Sequence, residues 1–211
     1  MKKNKTFLAA IVLLLLFVVG GAVAYFTDTD SETNTFTIGN VDIDLVEANW
    51  DTTDQDSNGI PDAAQDLMPG QTVAKDPVIK NLSTSNEAYV FAKVEVPCTT
   101  ETTPRELFTY TVNTGWTELS SAACTNGTAT HIYYYGSNGS LTALAKASNA
   151  STPTPTSAAV FDNVTLLSSL TGAAAEGLTG SKNIVVTGYG IQTQGLTAPV
   201  TPTSVWSNFS N

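Results

Sequence analysis

Histidine is almost missing from this chain of 211 residues, which has only His131. A zinc-peptidase site with two histidines cannot be built from one copy, and there is no H-E-x-x-H. His131 stands beside Tyr133, Tyr134 and Tyr135 and reads instead as a half-buried strand residue. Serine and aspartate abound, yet no G-x-S-x-G elbow accompanies them, and neither cysteine has a base placed for it. Charge is scarce too, at 13% of residues, and the nine Lys and Arg are outnumbered by nineteen Asp and Glu. A net charge of −10 argues against nucleic acid as a partner. Thr, Ser and Asn stand where charges usually do, which suits an extracellular β-protein: Thr fits a pleated strand, and the others suit turns. Beyond the first two dozen residues there is no helical period and no internal repeat.

Those first residues are different. Lys2, Lys3 and Lys5 precede an unbroken apolar run, Phe7 to Val19, followed by Gly20-Gly21 and Ala22-Val23-Ala24. A positive stub, a short apolar core and small residues at −3 and −1 make a secretory signal over 1–24, cut between Ala24 and Tyr25. The alternative is an uncleaved anchor, because apolar character continues to Phe26, close to the ~20 residues that a bilayer needs. Either way, the rest is expected outside the cytoplasm, secreted or at the cell surface. Removing the signal takes three basic residues with it, so the mature chain is still more acidic. Cys98 and Cys124 are the only cysteines and can close one loop in an oxidising compartment, with about 3 kcal/mol of stabilisation; two free thiols are the alternative. The six Asn-x-Ser/Thr sequons of the mature part (Asn81, Asn126, Asn138, Asn149, Asn163, Asn208) matter only if the host glycosylates its surface proteins.

Strand signals recur after residue 40. Val41, Ile43 and Leu45 alternate with Asp42 and Asp44. Val73 to Asn81 is a second strand, which Pro77 restricts to an edge or bulge. Ala88 to Val96 has the cleanest alternation, and Leu107 to Val112, His131 to Tyr135, Ala159 to Phe161 and Ile184 to Gln194 complete the set. The Ser/Thr/Pro-rich stretch Ser148 to Ser157 reads as a flexible loop, and Ser168 to Gly180 has room for one short helix. The fold expected over 41–211 is an all-β antiparallel sandwich with long loops.

Two segments carry functional signals. Between Tyr25 and Thr37 every odd position is Tyr, Thr or Ser, and the even ones run Phe26, Asp28, Asp30, Glu32, Asn34, Phe36. This two-residue period describes a strand without a partner in its own molecule, or a disordered acidic tail. Gly39-Asn40 then resets the parity. The second segment, Asp54-Gln55-Asp56-Ser57-Asn58-Gly59-Ile60-Pro61-Asp62, fits the D-x-D-x-N-G-x-x-D calcium loop. Asp54, Asp56 and Asn58 supply oxygens at positions one, three and five, Ile60 its carbonyl at seven, and Asp62 sits at nine. Position twelve is Gln65 rather than Glu, with Asp66 after it, so any Ca²⁺ affinity is expected to be weak. The alternative is an acidic turn that binds nothing.

Ala24-Tyr25-Phe26-Thr27-Asp28 and the run from Asn34 to Leu45 resemble the TasA/camelysin proteins. So do Leu67-Met68-Pro69-Gly70-Gln71, Asp76 to Asn81, Trp116 with Tyr133 to Tyr135, Phe161 to Thr165, and Tyr189 to Gln194 with Trp206. The resemblance implies a jelly-roll-like sandwich, freed from its signal by a dedicated SipW-type peptidase and polymerised into biofilm matrix fibres. It also implies a head-to-tail homopolymer in which residues 25–40 donate a strand to the next molecule. Tyr25, Phe26, Thr27, Thr29, Thr33, Thr35, Phe36 and Ile38 are the residues that would carry the donation, and a minor matrix subunit is left open. Camelysin members are also described as metalloendopeptidases. A monomeric, calcium-stabilised surface module is the other reading.

Overall fold

The computed structural model describes residues 41–50, 53–57, 61–156, 158–170 and 182–209. The chain divides into two units, 1–38 and 39–211, and every described residue belongs to the second. The expected signal over 1–24, its cleavage point and the segment Tyr25–Ile38 lie outside the described residues.

In chain order the described strands are β1 (Ile43–Glu47), β2 (Thr72–Ala74), β3 (Pro77–Asn81), β4 (Ala88–Pro97) and β5 (Phe108–Thr109). They continue with β6 (Trp116–Thr125), β7 (Thr128–Ser137), β8 (Ser140–Leu141), β9 (Thr154–Pro155), β10 (Asn163–Leu166) and β11 (Val185–Gln192). A single turn of helix, α1 (Pro202–Trp206), follows them, capped by the side chain of Thr201. All strand pairs are antiparallel. They form two small sheets, β1-β3-β9 and β2-β10-β5, and a larger one, β11-β4-β7-β6, to which β8 adds through β7. The all-β antiparallel sandwich expected from the sequence is therefore what this unit forms.

Alternation in β4 explains the layering. Ala88, Val90, Ala92, Val94 and Val96 are fully buried, whereas Tyr89, Lys93 and Glu95 are half-exposed. The buried set meets Ile79 of β3, Val73 of β2, Val164 and Leu166 of β10, and Phe108 of β5. The two small sheets thus cover one face of the large sheet, and each buried valine contributes about 1.5–3 kcal/mol. Phe91 breaks the alternation because the opposite face has its own cover. Phe91 and Tyr134 pack there with Val205, Trp206 and Phe209 from the C-terminal segment.

Several expectations need correcting. Val73–Asn81 is two strands in two different sheets. Lys75 and Asp76 separate them: Lys75 pairs with Glu47 at 2.7 Å, and Asp76 accepts two hydrogen bonds from Asn49 at 2.9 Å. Pro77 opens β3, which is the middle strand of its sheet. It is tolerated because β9 reaches only Lys80 and Asn81, leaving the proline end laddered on one side. Leu107–Val112 shrinks to the two residues of β5. Ala159–Phe161 is buried but is not a strand. Its backbone bonds run to separate partners, Val160 N to the Pro77 carbonyl and Asn113 N to the Val160 carbonyl. Ser148–Ser157 is not a free loop, since β9 pairs with β3 and Thr156 is buried. Strand β6 was not expected at all. The helix expected within Ser168–Gly180 falls largely on residues 171–181, outside the described ones.

Cys98, next to the end of β4, is joined to Cys124 in β6 across a separation of 26 residues. The predicted disulfide is present.

Candidate functional site

The acidic loop between β1 and β2 brings three of its predicted ligands together. Carboxylate oxygens of Asp54, Asp56 and Asp62 all lie within 4.8 Å of one another. Local hydrogen bonds fold the loop that way: Asp62 N donates to the Thr53 carbonyl at 2.8 Å, and Gln55 N donates to Asp62 Oδ1 at 3.1 Å. A short 3-10 turn, Asp62–Ala64, starts at this point. Ser57 adopts φ 56°, a left-handed conformation that lets the loop turn sharply. Gln65, at the expected twelfth position, points its amide nitrogen at Asp56 Oδ1 and Asp62 Oδ1, both at 3.4 Å. Asp66 does not join the three carboxylates. Asn58 and Ile60, the other two predicted ligands, lie outside the described residues. An all-oxygen set of this kind suits a hard cation rather than zinc.

His131 in β7 sits among groups that the sequence did not connect to it. Its Nδ1 is 2.8 Å from Glu118 Oε1 of β6, and its Nε2 is 3.0 Å from Glu106 Oε1, just before β5. An imidazolium donates to both carboxylates, whereas a neutral ring donates to only one. Beside it, the hydroxyls of Tyr110 and Tyr133 are 3.0 Å apart. Burial raises both phenols above the ordinary value of 10.0. Tyr133 is pushed up to about 12, and Tyr110 is raised further by its hydrogen bond to Tyr133. The half-buried strand position expected for His131 is what it occupies, with its side chain 15% exposed. No signal in the local sequence could have found Glu106 and Glu118, because the contacts span 25 and 13 residues.

The sequons separate by environment. Asn81 is fully buried. Its amide donates to the carbonyls of Asn86, Leu144 and Ala145, and its own oxygen accepts from Ser83 N. No sugar can be attached there without breaking that network. The Asn208 amide is likewise engaged by the carbonyls of Ser204 and Val205.

Residues 1–102 match the family model described as camelysin metallo-endopeptidase. No curated protein and no solved structure matches the chain. The family's description implies a metal, and the described residues do not fit a zinc-peptidase centre. The one histidine turns both ring nitrogens toward carboxylates on opposite sides. The one described carboxylate cluster that could hold an ion contains no nitrogen or sulfur ligand. Across 102 of its 211 residues the chain matches the camelysin metallo-endopeptidase family, which bears out the TasA/camelysin resemblance over that stretch.

Proposed function

We propose that this protein is a secreted structural subunit that polymerises into extracellular matrix filaments, each molecule lending its segment Tyr25–Ile38 as a strand to the next. The large sheet supports this reading: it ends in β11 and β6, of eight and ten residues, and neither has a second strand partner among the described residues. Open edges of that length are templates for an added strand, because their outward N–H and C=O groups lack a ladder. The period-two pattern of Tyr25–Thr37 supplies such a strand. Head-to-tail donation is heterologous and so produces an open filament rather than a closed dimer. A dedicated signal peptidase would free the donor by cutting after Ala24.

In the same reading the loop of Asp54, Asp56, Asn58, Ile60 and Asp62 holds Ca²⁺ and stiffens the connection between β1 and β2. That carboxylate cluster also favours a second reading, a calcium-stiffened surface module that stays monomeric.

Forms of the chain beginning at Tyr25 and at Gly39 separate the two when imaged by negative stain. The filament reading expects fibres from the longer form alone. Fibres from both would remove strand donation, and fibres from neither would favour the monomeric module.

A further inference from the structure

The core is sealed along its middle and thin along one side. The core-facing residues of β4 are fully buried, but those of its neighbour β11 (Val186, Gly188 and Gly190) are all part-exposed. On the opposite layer, Val41, Ile43 and Leu45 are part-exposed as well. Gly188 and Gly190 meet Ile43, and Gly190 also meets Val41, across a seam between the large sheet and the β1 layer. A Cβ on Gly190 would stand 2.8 Å from Ile43 Cγ2 and 2.9 Å from Val41 Cγ1. The glycines therefore let the layers close down until the seam is shallow.

Of the strands bordering open edges, β11 is the least guarded. It has no charged residue and no proline over eight residues. By contrast, β1 carries Asp44 and Glu47, and β6 carries Glu118 and a register shift that distorts its ladder. The strands β2, β5 and β9 have three residues or fewer.

We infer that the outer edge of β11, with the seam beneath it, is the acceptor for residues Tyr25–Ile38 of a second copy of this chain. The inference rests on the filament reading and adds the place where the strand docks. Length fits: fourteen extended residues span about 45 Å, more than the ~26 Å of an eight-residue strand. Shape fits as well. A shallow seam has no room for a row of large side chains, and the odd positions from Thr27 to Thr37 are all Thr or Ser. Backbone hydrogen bonds to β11 would carry most of the pairing, with Phe36 and Ile38 adding apolar cover at one end.

Hydrogen exchange read by mass spectrometry tests this on the secreted protein, compared as dilute monomer and as fibre. The amides of Val185–Gln192 that point away from β4 are expected to exchange at least roughly tenfold more slowly in the fibre. New protection on Trp116–Thr125 instead would leave strand donation standing and overturn the β11 assignment. Equal protection of those outward amides in the monomer would mean that the edge is already paired within one molecule, which also overturns it. No fibre at any concentration would overturn the filament reading and this inference together. A paired variant gives an independent check. Val186→Lys places a charge that only an open seam can keep hydrated, so it should abolish fibres, whereas Ala122→Lys on exposed β6 should not. Fibres from a folded Val186→Lys chain would contradict the assignment.

Discussion

Gly190 of the last strand lies beneath Ile43 of the first, so close that even a methyl group at Gly190 would stand 2.8 Å from Ile43 Cγ2. Both side chains above it, Ile43 and Val41, are β-branched, and their contacting atoms sit one bond from the rigid Cβ. They cannot swing aside. Gly190→Ala is expected to cost about 1–3 kcal/mol by overpacking. Gly188→Ala provides the contrast, since its nearest neighbour is Ile79 Cδ1 at 3.3 Å, the far end of a flexible chain. Gains in backbone entropy would offset much of the strain there, leaving a change of less than about 1 kcal/mol. Urea unfolding of the two variants checks the ordering. Equal losses would mean that the β1 layer is not held tightly against β11.

The Tyr110–Tyr133 pair predicts a loss of stability in alkali. Burial raises both phenols, and Tyr133 ionises at about 12 in the folded chain against 10.0 when unperturbed. Above pH 10 the unfolded chain releases protons that the folded chain retains. Stability therefore falls as pH rises. The contribution of Tyr133 is complete below pH 10 and disappears as pH climbs through its folded value near 12, and that of Tyr110, raised further, is lost at still higher pH. Replacing both residues with Phe should flatten the slope of unfolding free energy between pH 10 and 12. Absorbance at 295 nm should also show two fewer late-titrating phenols. A slope identical to that of the parent would place the alkaline sensitivity elsewhere.

How far the fold was legible depended on whether a strand's neighbours lay in its own pattern. Ala88–Val96 could be read because each core residue alternates with a polar or aromatic one. Most of β6 could not. Ser120, Ser121, Ala122 and Ala123 have no apolar stripe, and all are exposed. What fixes β6 is its partner β7 and the turn at Asn126-Gly127, whose φ values of 53° and 83° are those of a tight hairpin. The Asn-Gly pair was the available signal. Val160 and Phe161 misled in the opposite sense: they are as buried as any strand residue, yet the backbone bonds of Val160 run to two separate partners, Pro77 and Asn113, rather than along one ladder. Among site residues, Asp54, Asp56 and Asp62 were legible because local spacing alone brings them together. The carboxylates of Glu106 and Glu118 were not, because sheet register places them on His131.

The disulfide makes a separate, quantitative expectation. Cys98 and Cys124 close a loop across 26 residues that contains β5 and most of β6. Removing the bond with Cys98→Ser and Cys124→Ser frees that loop in the unfolded chain and should lower stability by about 3 kcal/mol. Cys98 is buried, 4% exposed, so its replacement by Ser adds a small local cost, whereas Cys124 lies at the surface margin. Reducing the parent protein should reproduce most of the loss without that added cost. Unfolding midpoints in urea, compared between the double variant and the reduced parent, would separate the two contributions. No loss in either sample would show that β6 is held by its ladder to β7 alone.

Calcium should act through the carboxylates of Asp54, Asp56 and Asp62, which stand within 4.8 Å of one another. Three like charges this close repel, so an added divalent cation stabilises the folded loop more than the unfolded chain, where the carboxylates separate. The missing glutamate at the twelfth position should place any dissociation constant in the range of about 10⁻⁴–10⁻³ M of extracellular modules, roughly four to six decades weaker than intracellular buffers. The melting temperature is therefore expected to be flat at micromolar calcium and to rise in the millimolar range. Asp54→Ala with Asp56→Ala removes two of the three charges, and this should relieve the repulsion and abolish the calcium response at the same time. The variant should then melt at the same temperature with and without calcium, while the calcium-loaded parent melts above its own apo form. Gln65→Glu restores a carboxylate at the twelfth position and should move the response to lower calcium. A calcium response that persists unchanged in the double variant would assign it to other acidic groups of this −10 chain.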